Sequence, residues 1–433
     1  MKPSAAVASL KYRDFRLIWI GQFVSILGTQ IQTVALAWLV YTITGSAAAL
    51  GVVGLARAVP IILLSMFGGT LADQVDRRRL LLVSQSVLAS FSLLLAFSVA
   101  MGWANLALLY SFAVITAAAS AFDGPTRQAI IPSLVPRDRL ANALTVNVLA
   151  QDTAAVFGPA VGGLVLAALG TSAAFFIDAA SFMAVVAALL AMRGRPPVPV
   201  VTRRGLAALV DGLQFLRERS ILWQLMVIDF LATLLASTLG LLPVFAKSVL
   251  DIGPKGLGVL YSAPSAGAVI GAVLFTMVRT PKHPGRLVAI AIGGYGLSLA
   301  LFGLSQSFIM ALVLLALAGG VDEVSRVMRH TVRQLATPDE FRGRIGAVAS
   351  IFSAGGPRLG DFQSGLIASF IGPRGAMVFG GGACLLMASS SLGWARSLWR
   401  YRGEEQLVVA PKSAHEDERA VSPKPAPETA SGE

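Results

Sequence analysis

The chain has 433 residues, of which 55% are hydrophobic and 13% charged, and its 35 Lys and Arg against 23 Asp and Glu give a formal net charge of +12. Soluble domains carry about 25% charged residues, so a soluble enzyme is excluded as the first reading. A single cysteine, Cys384, excludes an intrachain disulfide framework and any multi-cysteine zinc or iron–sulfur site.

A hydrocarbon core about 30 Å thick takes about 20 helical residues to cross. Twelve apolar runs meet that length, roughly 17–42, 48–71, 80–101, 105–122, 141–168, 172–192, 220–246, 256–278, 286–304, 308–327, 345–370 and 375–396. The first run is too long for the apolar part of a signal peptide, so none is expected. Of the 35 cations, 30 fall in the termini and the connections on one side, 3 on the other (Lys247, Lys255, Arg374), and Arg57 and Arg358 lie within spans. The positive-inside rule then places both termini in the cytoplasm. The cations punctuate helices instead of forming one basic face, so no nucleic-acid partner is expected.

The chain divides into a cytoplasmic N-terminus (1–16), a six-span bundle (17–192), a basic Pro-rich cytoplasmic linker (193–219), a second bundle (220–396) and a cytoplasmic tail (397–433) whose composition reads as largely disordered. The two bundles repeat each other. Thr126-Arg127-Gln128, Pro136-Arg137-Asp138-Arg139, Gly158-Pro159 and Gly162-Gly163 in the first are matched in order by Thr331-Val332-Arg333-Gln334, Pro338-Asp339-Glu340, Gly356-Pro357 and Gly360 in the second. An even number of spans per repeat keeps both in one orientation, the pattern of transporters whose halves rock about a central site.

Between spans two and three runs Gly69-Thr70-Leu71-Ala72-Asp73-Gln74-Val75-Asp76-Arg77-Arg78-Arg79. Gly69 allows close helix approach, Asp73 suits a helix cap, and Asp76 beside Arg77 and Arg78 suits a latch from one bundle to the other. Span five carries Gly158-Pro159-Ala160-Val161-Gly162-Gly163, small residues for close packing and a proline for a bend. On these two motifs and the duplicated spans the chain resembles the major facilitator superfamily over about residues 10–400. The span-five run is similar to the motif of facilitator antiporters. Phe122-Asp123-Gly124-Pro125-Thr126-Arg127, Asn142-Ala143-Leu144 and the run from Phe176 through Asp178 to Phe182 resemble the exporter branch that includes enterobactin exporters and macrolide efflux proteins. The resemblance implies an all-α membrane protein of twelve helices in two pseudo-symmetric six-helix bundles. Two departures stand out: 105–122 lacks the span-four arginine of many proton antiporters, and Ala154 replaces a frequent glycine.

Polar residues inside spans are costly and point to function. Gln22, Ser25, Thr29 and Gln32 fall within roughly an 80° arc of span one, and Asp229, Thr233 and Ser237 within a similar arc of span seven. The resemblance places both helices along a central cavity, so both stripes are expected to face water. Arg57 is expected to line the substrate cavity with these stripes and to pair with Asp152 in the first half, and Arg358 and Asp361, one turn apart, are expected to pair in the second. Asp178 is expected to be structural, on a peripheral helix. Asp229, Glu323 and Asp152, followed by Asp322 and Asp361, are the candidate proton carriers.

The expected function is export of an amphiphilic small molecule by alternating access against protons, with an importer or uniporter of the same fold and a non-transporting scaffold as alternatives. The expected partners are the substrate, protons and the lipid bilayer, with a monomer as the default. Nucleotide-loop and zinc-hydrolase motifs are missing and His283, His330 and His415 are scattered, so no enzyme activity, metal or cofactor is expected.

Overall fold

In the computed structural model the described residues are 8–72, 75–193, 206–277, 281, 283–338 and 341–401. Among them ten helices are long and apolar enough to cross a membrane, and two are of double length. The first double helix, Leu140–Ala191, has 52 residues, about 78 Å if straight, and the second, Arg342–Trp394, has 53. Neither is straight. Gly170 (φ 83°, ψ 178°) and Gly372 (φ 77°, ψ 164°) leave helical geometry in a region that is open essentially to glycine alone.

Packing shows that each glycine turns the chain back on itself. Gly158 approaches Gln30 and Gly162 approaches Ile31, while beyond the break Ser181 lies against Gly28 and Val185 against Gly21. Residues on both sides of Gly170 thus lie along one stretch of the first helix, as only a hairpin permits. In the second half Gly356 and Gly360 lie against Thr233, and Gly380 against Leu235. Ten helices therefore make twelve spans, in agreement with the sequence.

The spans are α1 (Arg13–Thr44), α2 (Ala47–Ala72), α3 (Arg77–Ala100), α4 (Leu106–Ile130), α5 and α6 (140–169 and 171–191), α7 (Ser220–Leu235), α8 (Gly253–Thr276), α9 (Pro284–Leu304), α10 (Phe308–Ala336), and α11 and α12 (342–371 and 373–394). Side-chain caps start three of them: Ser46 accepts from the Ala49 amide at α2, Asp76 from the Arg78 and Arg79 amides at α3, and Asn105 from the Leu108 amide at α4. Outward faces are apolar, as lipid requires; Phe370 is 80% exposed and Leu386 72%. The linker contains a helix, Leu206–Glu218, docked on the start of α11 by the Phe215–Phe341 stack (4.2 Å between centroids) and by Asp211 with Arg344 at 3.5 Å.

Two crossings join the halves. At α5 and α8, a Cβ on Gly163 would lie 2.6 Å from the Pro254 carbonyl oxygen and 2.8 Å from Gly258 Cα; at α2 and α11, a Cβ on Gly365 would lie 2.6 Å from the Ala47 oxygen and 2.8 Å from Gly51 Cα. Only glycine permits such backbone approach. Tyr41 Oη and Ser248 Oγ are 2.7 Å apart at the same end, and the Lys247 ammonium sits 5.8 Å from the Tyr41 ring centroid. The crossings and these contacts lie in the half of the bundle away from the chain termini. That end is sealed.

Candidate functional site

Below the seal a cavity of about 580 Å³ lies between the halves, with walls from both. It runs from Gly240 and Tyr261 near the seal to Arg127, one turn from the end of α4. Ser25, Thr29 and Gln32 of α1 line it, as their shared face predicts. Gln22, on the same face, is buried at 3% exposure but is not part of this wall. The Thr29 hydroxyl donates to the Ser25 carbonyl at 3.0 Å, which satisfies it within its own helix.

The fourth helix corrects the sequence reading. It does not stop at residue 122: Pro125 is accommodated inside it, and the helix continues to Ile130. Arg127 therefore stands on α4 and lines the cavity. It donates to Asp123 one turn away at 2.5 Å, and Asp123 also accepts from Gln85 Nε2 at 2.7 Å. The Asp-Gly-Pro run reads as a break from sequence alone, but the freed backbone is tolerated among neighbouring helices.

Around the seal the charged groups are arranged differently from expectation. The helix of α7 ends at Leu235, and the chain resumes as a tight turn at Leu239–Leu241. That interruption presents the Gly240 amide, which donates to Asp361 Oδ1 at 2.9 Å while Ser237 Oγ donates to the same atom at 2.5 Å. Arg358 makes no ion pair with Asp361; its Nη1 donates instead to the Ala354 carbonyl at 2.6 Å. Nor does Arg57 pair with Asp152, which is exposed on α5. The charged groups within electrostatic range of Arg57 are Arg358, Asp361 and Asp178. Depth along adjacent helices misled here because the side chains point to different faces.

The stripe on α7 does not line the cavity. Thr233 donates to the Asp229 carbonyl and packs against Gly356, and Ser237 holds Asp361. Asp229 pairs with Arg329 of α10 at 3.0 Å, their side chains 19% and 11% exposed, and Arg329 also reaches Asp322 at 3.4 Å. Glu323 pairs with Arg326 of its own helix, with Nε at 2.7 Å. Asp178 accepts from Ser92 Oγ at 2.5 Å, tying α6 to α3 as a structural residue does, yet it also lies on the cavity wall.

The two motifs divide in role. Pro159 lines the cavity and Gly163 makes the α5–α8 crossing, while Gly158 and Gly162 pack on α1. In the loop motif Gly69 lies in the last turns of α2 and Asp73 lies outside the described residues; it is Asp76 that caps α3. The latch is local. Arg77 donates to the Ala129 carbonyl at the end of α4 at 2.9 Å and Arg78 to the Leu190 carbonyl of α6 at 3.2 Å, both within the first half. These carbonyls belong to helix C-termini, where a cation is favoured.

Arg127, Asp123, Tyr261 and Arg329 are the site residues that sequence reasoning passed over. The i, i+4 spacing of Asp123 and Arg127 was a usable signal. Tyr261 was accessible through the repeat, since Pro60 and Pro264 align and carry Arg57 onto it.

The chain matches the transmembrane secretion effector family over residues 4–423. It is 25% identical to the enterobactin exporter EntS of Escherichia coli O1:K1 over 399 residues, 92% of this chain and 96% of that one, and equally to EntS of Escherichia fergusonii. Similar solved structures include a bacterial homologue of the human lysosomal transporter Spinster in an inward-facing, unoccupied conformation (TM-score 0.68, 16% identity, 92% of this chain and 97% of that one). The peptide transporter POT with alafosfalin is similar as well (TM-score 0.74, 13% identity, 92% and 99%). This multi-pass membrane protein, a transporter and not an enzyme, belongs to the transmembrane secretion effector family of the major facilitator superfamily.

Proposed function

We propose that this protein is a secondary active exporter in a bacterial cytoplasmic membrane, moving small amphiphilic molecules of the siderophore or drug-like kind outward by alternating access while protons flow inward. The observation that carries this reading is the cavity shared by two bundles and closed at one end by glycine crossings that can part without breaking a covalent or helical element. The 30-to-3 cation distribution supports placing both termini in the cytoplasm, so that the sealed end faces outward. Similarity to an enterobactin exporter supports the outward direction and a siderophore-like cargo.

For proton coupling, the Asp229–Arg329–Asp322 group is the arrangement of choice. A carboxylate sharing one cation with a second carboxylate exchanges its proton when the cation changes partner. Glu323 and Asp152 remain candidates on their own helices, and Asp361 is tied to the seal. The test uses everted membrane vesicles with an imposed pH gradient. Acid-inside vesicles are expected to accumulate enterobactin and to lose it on adding a protonophore. Accumulation that ignores the gradient would identify a uniporter, and movement in the opposite sense an importer. Gradient-driven transport surviving the triple variant Asp229→Asn, Glu323→Gln, Asp152→Asn would remove the carboxylate assignment.

A further inference from the structure

Arg57 has surroundings that neither the fold nor the seal explains. Ten residues separate it from Ala47 at the sealed end, about 15 Å of helix, which is the middle of a core about 30 Å thick. Its guanidinium lines the cavity, and among the described residues it has neither a hydrogen bond nor an ion pair. A guanidinium has five N–H donors and no acceptor, so all five are left for whatever fills the cavity.

The carboxylates nearby do not take up that capacity. Asp361 Oδ1 is held by Ser237 and Gly240, and Asp178 Oδ2 by Ser92, while the buried Asp178 Oδ1 has no hydrogen-bond partner among the described residues; neither carboxylate forms an ion pair with Arg57. Arg127 is already matched by Asp123. Arg358 faces the same space from the other half and gives one nitrogen to Ala354. Arg57 and Arg358, one from each half, lie within electrostatic range and repel each other; Asp361 and Asp178 offset that repulsion without forming an ion pair with Arg57, so an anion placed between the two guanidinium groups is still favoured.

We infer that Arg57, with Arg358 opposite, is the docking point for an acidic group on the molecule that occupies this cavity. The inference rests on the transporter reading only in taking the cavity as the substrate site. The group is a planar or tetrahedral oxyanion such as a carboxylate, catecholate or sulfonate, which accepts paired N–H donors from a guanidinium. A cationic occupant is disfavoured by the same pair. Because Arg57 belongs to the first half and Arg358 to the second, an acid bridging them ties its occupancy to the relative position of the bundles.

The test is equilibrium binding to the purified full-length protein in lipid nanodiscs, followed by probe fluorescence. Three probes share one fluorophore and differ in charge: dansylglycine, its methyl ester and dansylcadaverine. Dansylglycine is expected to bind at least about tenfold tighter than either of the others, the scale of one charge-assisted bidentate contact. Arg57→Gln is expected to abolish that preference while leaving the ester within about twofold, and Arg57→Lys to retain part of it. Should Arg57→Gln not elute as a monodisperse species, Arg358→Gln is expected to reduce the preference and the three-probe ranking of the unaltered protein still decides. Equal binding of the three probes, tighter binding of the cation, or a carboxylate preference that survives Arg57→Gln would overturn the inference. Failure of vesicle export with the carboxylate preference intact would strike the exporter reading and leave this site standing.

Discussion

The crossing of α5 and α8 yields the sharpest prediction. A methyl group on Gly163 would sit 2.6 Å from the Pro254 carbonyl oxygen and 2.8 Å from Gly258 Cα, both of them backbone atoms that cannot rotate away. Ordinary van der Waals contact needs about 3.5 Å, so Gly163→Ala forces the helices apart by roughly 0.7–0.9 Å or bends one of them. Overpacking of this kind costs about 1–3 kcal/mol. The cost falls on the sealed arrangement alone if the two halves separate here when the outer end opens. It then moves the balance between the two arrangements by roughly 5- to 150-fold toward the open one. Spin labels at Ile43→Cys and Lys255→Cys, both exposed near the seal and on opposite halves, report this as a distance distribution once Cys384→Ser removes the native thiol. The expected outcome is a new longer-distance population in the Gly163→Ala protein, and the same in Gly258→Ala. If both variants fold and keep the parent distribution, then the crossing does not open during the cycle and the reasoning about the seal is wrong.

Other outcomes follow from named contacts. Gly170→Ala and Gly372→Ala place a side chain at a φ near +80° and are each expected to lower stability by about 1–3 kcal/mol, read as a drop in thermal unfolding temperature in detergent; an unchanged transition would mean the hairpins tolerate another backbone geometry. Arg329→Gln leaves the largely buried Asp229 without its cation and is expected to destabilise by about 3–5 kcal/mol, with most of the loss recovered in the double variant Asp229→Asn, Arg329→Gln; no recovery would mean the pair is not what the loss reports. Asp361→Ala leaves the Gly240 amide and the Ser237 hydroxyl without their acceptor, at about 1–3 kcal/mol, whereas Asp361→Asn keeps an acceptor and is expected to lose less. Equal losses in the two would remove the role assigned to that carboxylate.

Much of the architecture was legible without coordinates because the bilayer leaves so few options. Lipid demands long apolar helices with satisfied backbones, so the spans and their even number follow from composition along the chain. The duplicated Gly-Pro and basic segments likewise pointed to two similar halves, and the shared face of Ser25, Thr29 and Gln32 on α1 is one that lines the cavity. Periodicity says which residues share a face; what that face meets is a matter of packing. The α7 stripe spans an arc similar to that of the α1 stripe, yet it packs on α11 and α10, because α7 unwinds after Leu235 and its neighbours close over it. Likewise, Asp-Gly-Pro in α4 breaks a helix in isolation and is carried through in the bundle, which brings Arg127 into the cavity. Ion pairing was decided only in three dimensions as well, since Arg57, Asp152, Arg358 and Asp361 have the right charges and depths but the partners are chosen by direction and by competing donors such as Gly240. The solvent around a helix is a one-dimensional constraint that the order of residues can meet, whereas the choice of partner for a polar group depends on distances across helices far apart in the chain.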